Sequence, residues 1–183
     1  MMNSREMREE KAIIIDFLPN GYPLEMKRIP IAQAIGSLYF TLLELVPRKG
    51  IKLQLKEEVY IGPSRRDKIY FIRGRLPKAK LTETAKLQIR DFVEKIVSEQ
   101  EKKFVEFFNR AQALNTRLHQ LELLPGFGKK YTKAILEERE KKPFTSFNDM
   151  KKRLKSLPDP KKVIEKKLIE ELTQEIRYKL FAA

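Results

Sequence analysis

Short apolar runs punctuated by turn residues fill the first part of this chain, and longer runs with a helical period fill the rest. Ala12 to Leu18, Leu38 to Val46, Ile51 to Leu55, Val59 to Ile61 and Lys68 to Arg73 are rich in branched and aromatic side chains and predict five short strands. Ile51, Leu53 and Leu55 alternate with Lys52, Gln54 and Lys56, the period of a strand with one wet face. Turns are marked by Pro19 to Gly21, Pro47 to Gly50 and Gly62 to Asp67. The segment Ile31 to Gly36 fits either a short helix or a further strand. Beyond residue 80 the spacing lengthens. Ala85, Ile89, Phe92, Val93, Ile96 and Val97 form one apolar stripe, with Thr82 or Thr84 as its N-cap. The stripe lapses over the polar run Ser98 to Lys103 and resumes at Phe104, Val105, Phe107 and Phe108, giving one long kinked helix or two. A last helix is predicted near Lys161 to Leu180, where Val163, Ile164, Leu168, Leu172, Ile176 and Leu180 recur.

This order predicts an α+β chain: a small β-barrel over 1–80, a long connecting helix over 81–112 and an all-α domain over 113–183. Five short strands in so little chain suit a closed or partly open barrel, of the oligonucleotide/oligosaccharide-binding (OB-like) kind or an SH3-like one. The polar run at 98–103 is a natural joint between the two parts.

Charge narrows the partners. The 183 residues carry 39 Lys and Arg against 25 Asp and Glu, for a net charge of +14 and a pI near 9.9. A polyanion fits that excess, nucleic acid first, although Lys- and Glu-rich surfaces are also a habit of heat-stable proteins. With 42% hydrophobic residues the chain can bury a sizeable core. There is no cysteine, which excludes disulfides, thiolate zinc sites and cysteine nucleophiles. A charged N-terminal run and the absence of a long apolar stretch point to a cytoplasmic protein with no membrane partner.

Candidate chemistry concentrates in one stretch, Leu121 to Arg139, where Pro125-Gly126-Phe127-Gly128 separates two apolar-patterned segments expected to be short helices. Gly126 and Gly128 are expected to adopt angles closed to other residues and to let a phosphodiester approach the main chain. The first N–H groups of the helix that follows lack intrahelical partners and carry its positive end. Lys129, Lys130 and Lys133 add full charges. The segment resembles the helix-hairpin-helix motif of DNA-repair, Holliday-junction and DNA-uptake proteins. Leu121, Leu124, Pro125, Gly126, Phe127, Gly128, Thr132, Ile135 and Leu136 fill its places, with Phe127 for the usual Ile or Val and Thr132 for the usual Ala. That resemblance implies a phosphate held by the amides of Phe127 to Lys130. Pro143, Phe144, Ser146, Phe147 and Asp149 look like the connector of a paired motif, and Leu154, Leu157, Pro158, Asp159 and Pro160 repeat the pattern in degenerate form. This second copy lacks both glycines and puts a carboxylate where phosphate would sit, so a structural role is expected of it.

Elsewhere the loop with Arg65 and Arg66, beside Lys68, Tyr60 and Tyr70, offers charge and stacking for a nucleic acid. Catalysis finds little support. His119 is the single histidine, suited to a packing or helix-surface role, and neither a metal site nor a Walker loop is present. Glycosylases with this hairpin place a catalytic Asp near the position of Asp149, but a cap or solvent role explains that residue equally and their large base-holding domain is missing. No cofactor is expected.

Over almost its whole length the chain is similar to the archaeal Domain of Unknown Function 655 family, with its order of short basic barrel, long helix and hairpin domain. The resemblance implies nucleic-acid binding, and RNA, ribosomal or translation-associated, ahead of DNA. The expectation is therefore a non-enzymatic binder of the phosphate backbone, barrel and hairpin domain sharing one ligand. A protein-interaction module is the rival from another class.

Overall fold

A computed structural model describes residues 8–183; the start of the charged N-terminal run lies outside the described residues. Five strands form one sheet: β1 (Lys11–Leu18), β2 (Ile31–Gly36), β3 (Leu42–Pro47), β4 (Glu58–Tyr60) and β5 (Ile69–Arg75). Their order is β4-β1-β2-β3-β5 with every pairing antiparallel, a curled half-barrel whose edges are β4 and β5. Ala12 and Ile14 of β1, Ala32 and Ala34 of β2, and Leu43 and Leu45 of β3 face one core with Val59, Ile61 and Ile69. The open segment Ile31 to Gly36 is a strand because it is paired on both sides and buried throughout.

Ile51 to Leu55, expected as a strand, is not one. Its alternation holds only in part, since Leu53 is buried but Leu55 is exposed, and its backbone groups are spent on turns: Ile51 N–H donates to Arg48 C=O (3.0 Å) and Glu57 N–H to Gln54 C=O (3.3 Å). Lys56 then takes a left-handed φ of 68°, which ends any extended run. Strand β3 starts later than expected because Leu38 to Thr41 form a tight turn around the buried Glu9 carboxylate. That carboxylate accepts the N–H groups of Leu38 (2.9 Å), Tyr39 (2.8 Å) and Thr41 (3.3 Å).

On the other face of the sheet, Gln33 and Glu44 stand opposite one another in register, both buried. Gln33 donates to the Tyr22 hydroxyl (3.2 Å) and the Lys80 carbonyl (2.7 Å), while Glu44 pairs with Arg73 (3.4 Å). Burial is the main cause that pushes the Tyr22 phenol up to about 12. Every polar group of this network has a partner, as a buried network requires, and it ties the loop before β2 to β5.

The helices are α1 (Glu83–Glu99), α2 (Glu101–Arg110), α3 (Lys129–Lys141), α4 (Phe147–Arg153) and α5 (Pro160–Thr173). Thr82 caps α1, its Oγ1 accepting from Ala85 N–H (3.0 Å). Gln100, at φ −106° and ψ 33°, separates α1 from α2, so the stripe is carried by two helices. The chain forms two compact units: residues to Asp91 with Glu171–Glu175 and Phe181–Ala183, and Phe92–Glu170 with Ile176–Leu180. The division falls within α1, ahead of the polar run. In the second unit Phe104, Phe108, Leu121, Phe127, Ile135 and Met150 are buried.

The last helix ends at Thr173, well short of Leu180. Helical spacing of Ile176 and Leu180 misled here because the tail finds other partners. The buried Glu171 carboxylate accepts Phe181 N–H (2.9 Å) and Ala182 N–H (2.8 Å), and Tyr178 C=O accepts from Lys167 Nζ (3.1 Å). Among the described residues no helix is long and apolar enough to cross a membrane.

Candidate functional site

The stretch before α3 is shorter than a helix. Gln120–Leu123 form a single 3-10 turn, where a full first helix was expected. An Ala113–His119 bridge closes the preceding loop, and Leu124 is extended (ψ 137°) as the residue before a proline must be. His119 starts the turn: its Nδ1 accepts Leu121 N–H (3.1 Å) while Glu122 accepts His119 N–H (2.8 Å). Burial, then the Arg139 charge, holds the His119 imidazole below its ordinary range.

The turn then runs through Pro125 to Gly128. Gly126 has φ 78°, in the left-handed region, so glycine is needed there by conformation. Gly128 differs from expectation. It is extended (φ −109°, ψ −165°), an angle open to any residue, and a Cβ built on it meets nothing within 4 Å. Nothing inside the chain therefore requires glycine at 128.

Gly128 is the N-cap of α3 and has no side chain to cap it. Among the described residues no acceptor takes the N–H of Gly128, Lys129, Lys130 or Tyr131; Thr132 N–H makes the first bond, to Gly128 C=O (3.1 Å). Thr132 itself is buried, with its Oγ1 unpartnered. The expected cradle narrows at its front edge, because Phe127 N–H already donates to Leu124 C=O (3.1 Å). The Phe127 ring is buried against Phe108 and Tyr131, so it anchors the turn instead of facing outward.

The three lysines divide. Lys129 is engaged: its Nζ donates to Arg117 C=O (2.7 Å) and pairs with Glu122 (2.9 Å), whose carboxyl is lowered chiefly through that bond. Its job in the free protein is to tie the turn to the preceding loop. Lys133 is exposed and only loosely paired with Glu137 (3.8 Å), and Lys130 makes no ion pair among the described residues.

The turn before α5 has the same plan and a different filling. Lys161 N–H donates to Asp159 Oδ1 (3.1 Å), Val163 N–H to Asp159 C=O (3.1 Å), and the carboxylate pairs with Lys151 (3.2 Å). An internal carboxylate thus occupies the helix start that Gly128 leaves open at α3. Asp149 is also engaged: its Oδ2 accepts Thr145 N–H (3.1 Å) and pairs with Arg153 (3.2 Å), and these hold its carboxyl low. That is the capping role.

Arg65 and Arg66 lie in the first unit. Arg66 Nε donates to Gly62 C=O (2.8 Å), its own carbonyl accepts from Arg48 Nε (2.7 Å), and the Tyr60 hydroxyl accepts Ser64 N–H (3.1 Å). The loop holds itself together and leaves Arg65 in solvent. Among the described residues no group of three or more His, Asp or Glu side chains is placed to hold a metal ion.

A family model described as "Protein of unknown function (DUF655)" matches residues 8–183. An uncharacterized protein of Methanocaldococcus jannaschii is 40% identical over 179 residues, 98% of this chain and 81% of that one. The crystal structure of Af1531 from Archaeoglobus fulgidus superposes with a TM-score of 0.81 at 44% identity, covering 96% of this chain and all of the other.

Proposed function

This chain belongs to the DUF655 family, and we propose that it is a non-enzymatic nucleic-acid-binding protein that grips the sugar-phosphate backbone without reading sequence. The observation that carries this reading is the start of α3. Unclaimed amides at the positive end of a 13-residue helix are approached past a glycine that the fold does not need. In this reading the segment is a helix-hairpin-helix motif. Pro125 and Gly126 set the turn, Gly128 admits a phosphate, and the amides of Lys129 and Lys130 donate to it. Lys130 and Lys133 add attraction and counterion release. Lys129 positions the turn through Glu122. Backbone contacts of this kind give register and no sequence information. The curled sheet is read as a partly open barrel of the OB-like kind. RNA, ribosomal or translation-associated, is favoured over DNA on the family resemblance.

The test is an anisotropy titration of labelled duplex RNA and duplex DNA across salt, for the wild type and Gly128→Ala. The expected slope of log affinity against log salt is about 0.9 per neutralised phosphate on duplex DNA. Gly128→Ala, whose Cβ meets no protein atom, should stay folded and bind about tenfold more weakly. Unchanged affinity in the folded variant would remove the site.

A further inference from the structure

Edge strand β5 pairs irregularly with β3 at two points, one of them at Tyr70. Val46 pairs with Phe71 and Pro47 with Ile69, so Tyr70 is an extra residue with no partner on β3. Such a β-bulge sets two successive side chains against one partner residue and re-aims them. The Tyr70 and Phe71 rings accordingly meet edge to face, 5.5 Å between centroids at 75°. Both are left to solvent, Tyr70 by 65% and Phe71 by 41%.

Phe71 also lines a groove of about 290 Å³. Exposed Met26 and Ile29 and buried Ile31 and Val46 give it an apolar lining, and Lys27, Arg73 and Glu25 complete it. Glu25 is committed: its carboxylate accepts twice from Arg73 Nη2 (3.0 and 3.1 Å) and once from Lys80 (3.2 Å). Lys27, with Arg28 next to it, Arg75 farther along β5 and Arg65 in the preceding loop make no ion pair among the described residues. The groove is thus apolar within, and of the two cations in its lining Arg73 is engaged by Glu25 and Glu44 while Lys27 makes no ion pair among the described residues.

We propose that this groove and the Tyr70–Phe71 pair take an unpaired base of a single-stranded nucleic acid, stacked on the aromatic edge with its phosphates drawn by Lys27 and the neighbouring arginines. This rests on the nucleic-acid reading above but on none of the geometry of the turn before α3. The volume lies at the lower limit of small-ligand pockets, which run from roughly 300 to 1,000 Å³, and suits one flat ring. A protein strand added to the β5 edge is disfavoured, because the bulge and the charges of Arg73 and Arg75 spoil the ladder it needs. Stacking on an aromatic face serves every base, so the site is sequence-tolerant.

The experiment uses the full chain and four labelled probes: a single-stranded RNA, the DNA of the same sequence, the same RNA with abasic residues throughout, and a duplex RNA. Wild type should bind the base-bearing single strand at least about fivefold more tightly than the abasic one. Tyr70→Ala and Phe71→Ala should each reduce that preference and leave duplex affinity unchanged. Tyr70 is mostly exposed, so its replacement keeps the fold, and the abasic comparison needs no variant at all. Equal affinity of wild type for base-bearing and abasic strands would overturn the proposal and leave an apolar peptide side chain as the occupant. A base preference that survives in both variants would also overturn it. If duplex binding falls in Gly128→Ala while the base preference is absent, the groove fails and the turn stands; the reverse pattern fails the turn and keeps the groove. Absence of binding to every probe overturns both.

Discussion

The turn from Pro125 to Gly128 and the turn from Pro158 to Pro160 are built alike and finished oppositely. Each follows a Leu-x-x-Leu-Pro run and opens a helix of the second unit. At α5 the chain supplies its own anion, Asp159, to the helix start and fastens it with Lys151. At α3 it supplies no side chain, and the amides stay unclaimed among the described residues. An N-cap carboxylate or hydroxyl is typically worth about 1 kcal/mol over alanine and a few tenths over glycine. Leaving it out at α3 forgoes a contribution that α5 keeps; one turn is filled from within, and on the reading proposed above the other is left for an external anion.

The largest expected effect removes the frame that both turns share. Arg153 reaches Glu138 and Asp149, donates to the carbonyls of Glu138 (2.8 Å) and Lys142 (2.7 Å), and lies 4.6 Å over the Phe144 ring. It joins the end of α3 to α4. Arg153→Ala should lower stability by about 2–3 kcal/mol, read by denaturant unfolding; a change below about 0.5 kcal/mol would show the two turns to be held independently. Next comes Gly126→Ala. A side chain at φ 78° costs roughly 1–2 kcal/mol, so this variant should lose both stability and nucleic-acid affinity, unlike Gly128→Ala, which should lose affinity first. Equal melting temperatures for Gly126→Ala and wild type would mean the turn relaxes.

Asp159→Ala sharpens the comparison from the other side. It should cost about 1 kcal/mol through the lost cap with no loss of nucleic-acid affinity; weakened binding would make the second turn part of the interface. The smallest effect is a pH dependence. The His119 pKa is depressed in the folded chain, so the unfolded chain takes up the proton first and stability should decline as pH falls below about 6.5. His119→Asn, which keeps an acceptor for Leu121 N–H, should flatten that decline in thermal melts between about pH 7.5 and 5.5. Glu122, Glu138 and Asp149 are depressed carboxyls, and their contribution is lost in a separate window below about pH 4.5.

The strands β1, β4 and β5 were readable in the sequence to within two residues at either end, because each is a branched or aromatic run next to a turn signal. Ile51 to Leu55 has the same alternation and no ladder, since periodicity does not say where the backbone hydrogen bonds go, and its burial follows the pattern only at Leu53, with Leu55 exposed. The same limit applies to Ile176 and Leu180, whose spacing is helical while the tail is held by Glu171. At the turn, Gly126 was legible from the Pro-Gly pair. The internal engagement of Lys129 and the burial of Phe127 were not, because both depend on partners, Glu122 and Phe108, fixed by tertiary packing. Of the groove beside β5, the sequence singled out Tyr70 and Arg65 for stacking and charge, but neither Phe71 nor the apolar lining from Met26, Ile29, Ile31 and Val46. The visible trace of the bulge is Tyr70-Phe71-Ile72, three apolar residues in a row where an edge strand should alternate, which is how a bulge reads in sequence.

The contrast between the turns is tested most directly by making the first like the second. In Gly128→Asp the new carboxylate enters open space at an extended N-cap and should accept the unclaimed amides. Thermal unfolding and duplex anisotropy would be measured on the same sample. We expect a gain of several tenths of a kcal/mol in stability from the cap and the helix dipole, together with a loss of nucleic-acid affinity of about tenfold or more as the phosphate is displaced and repelled. A variant that is stabilised and still binds as wild type would contradict the account, because the start of α3 would then be capped and its function untouched.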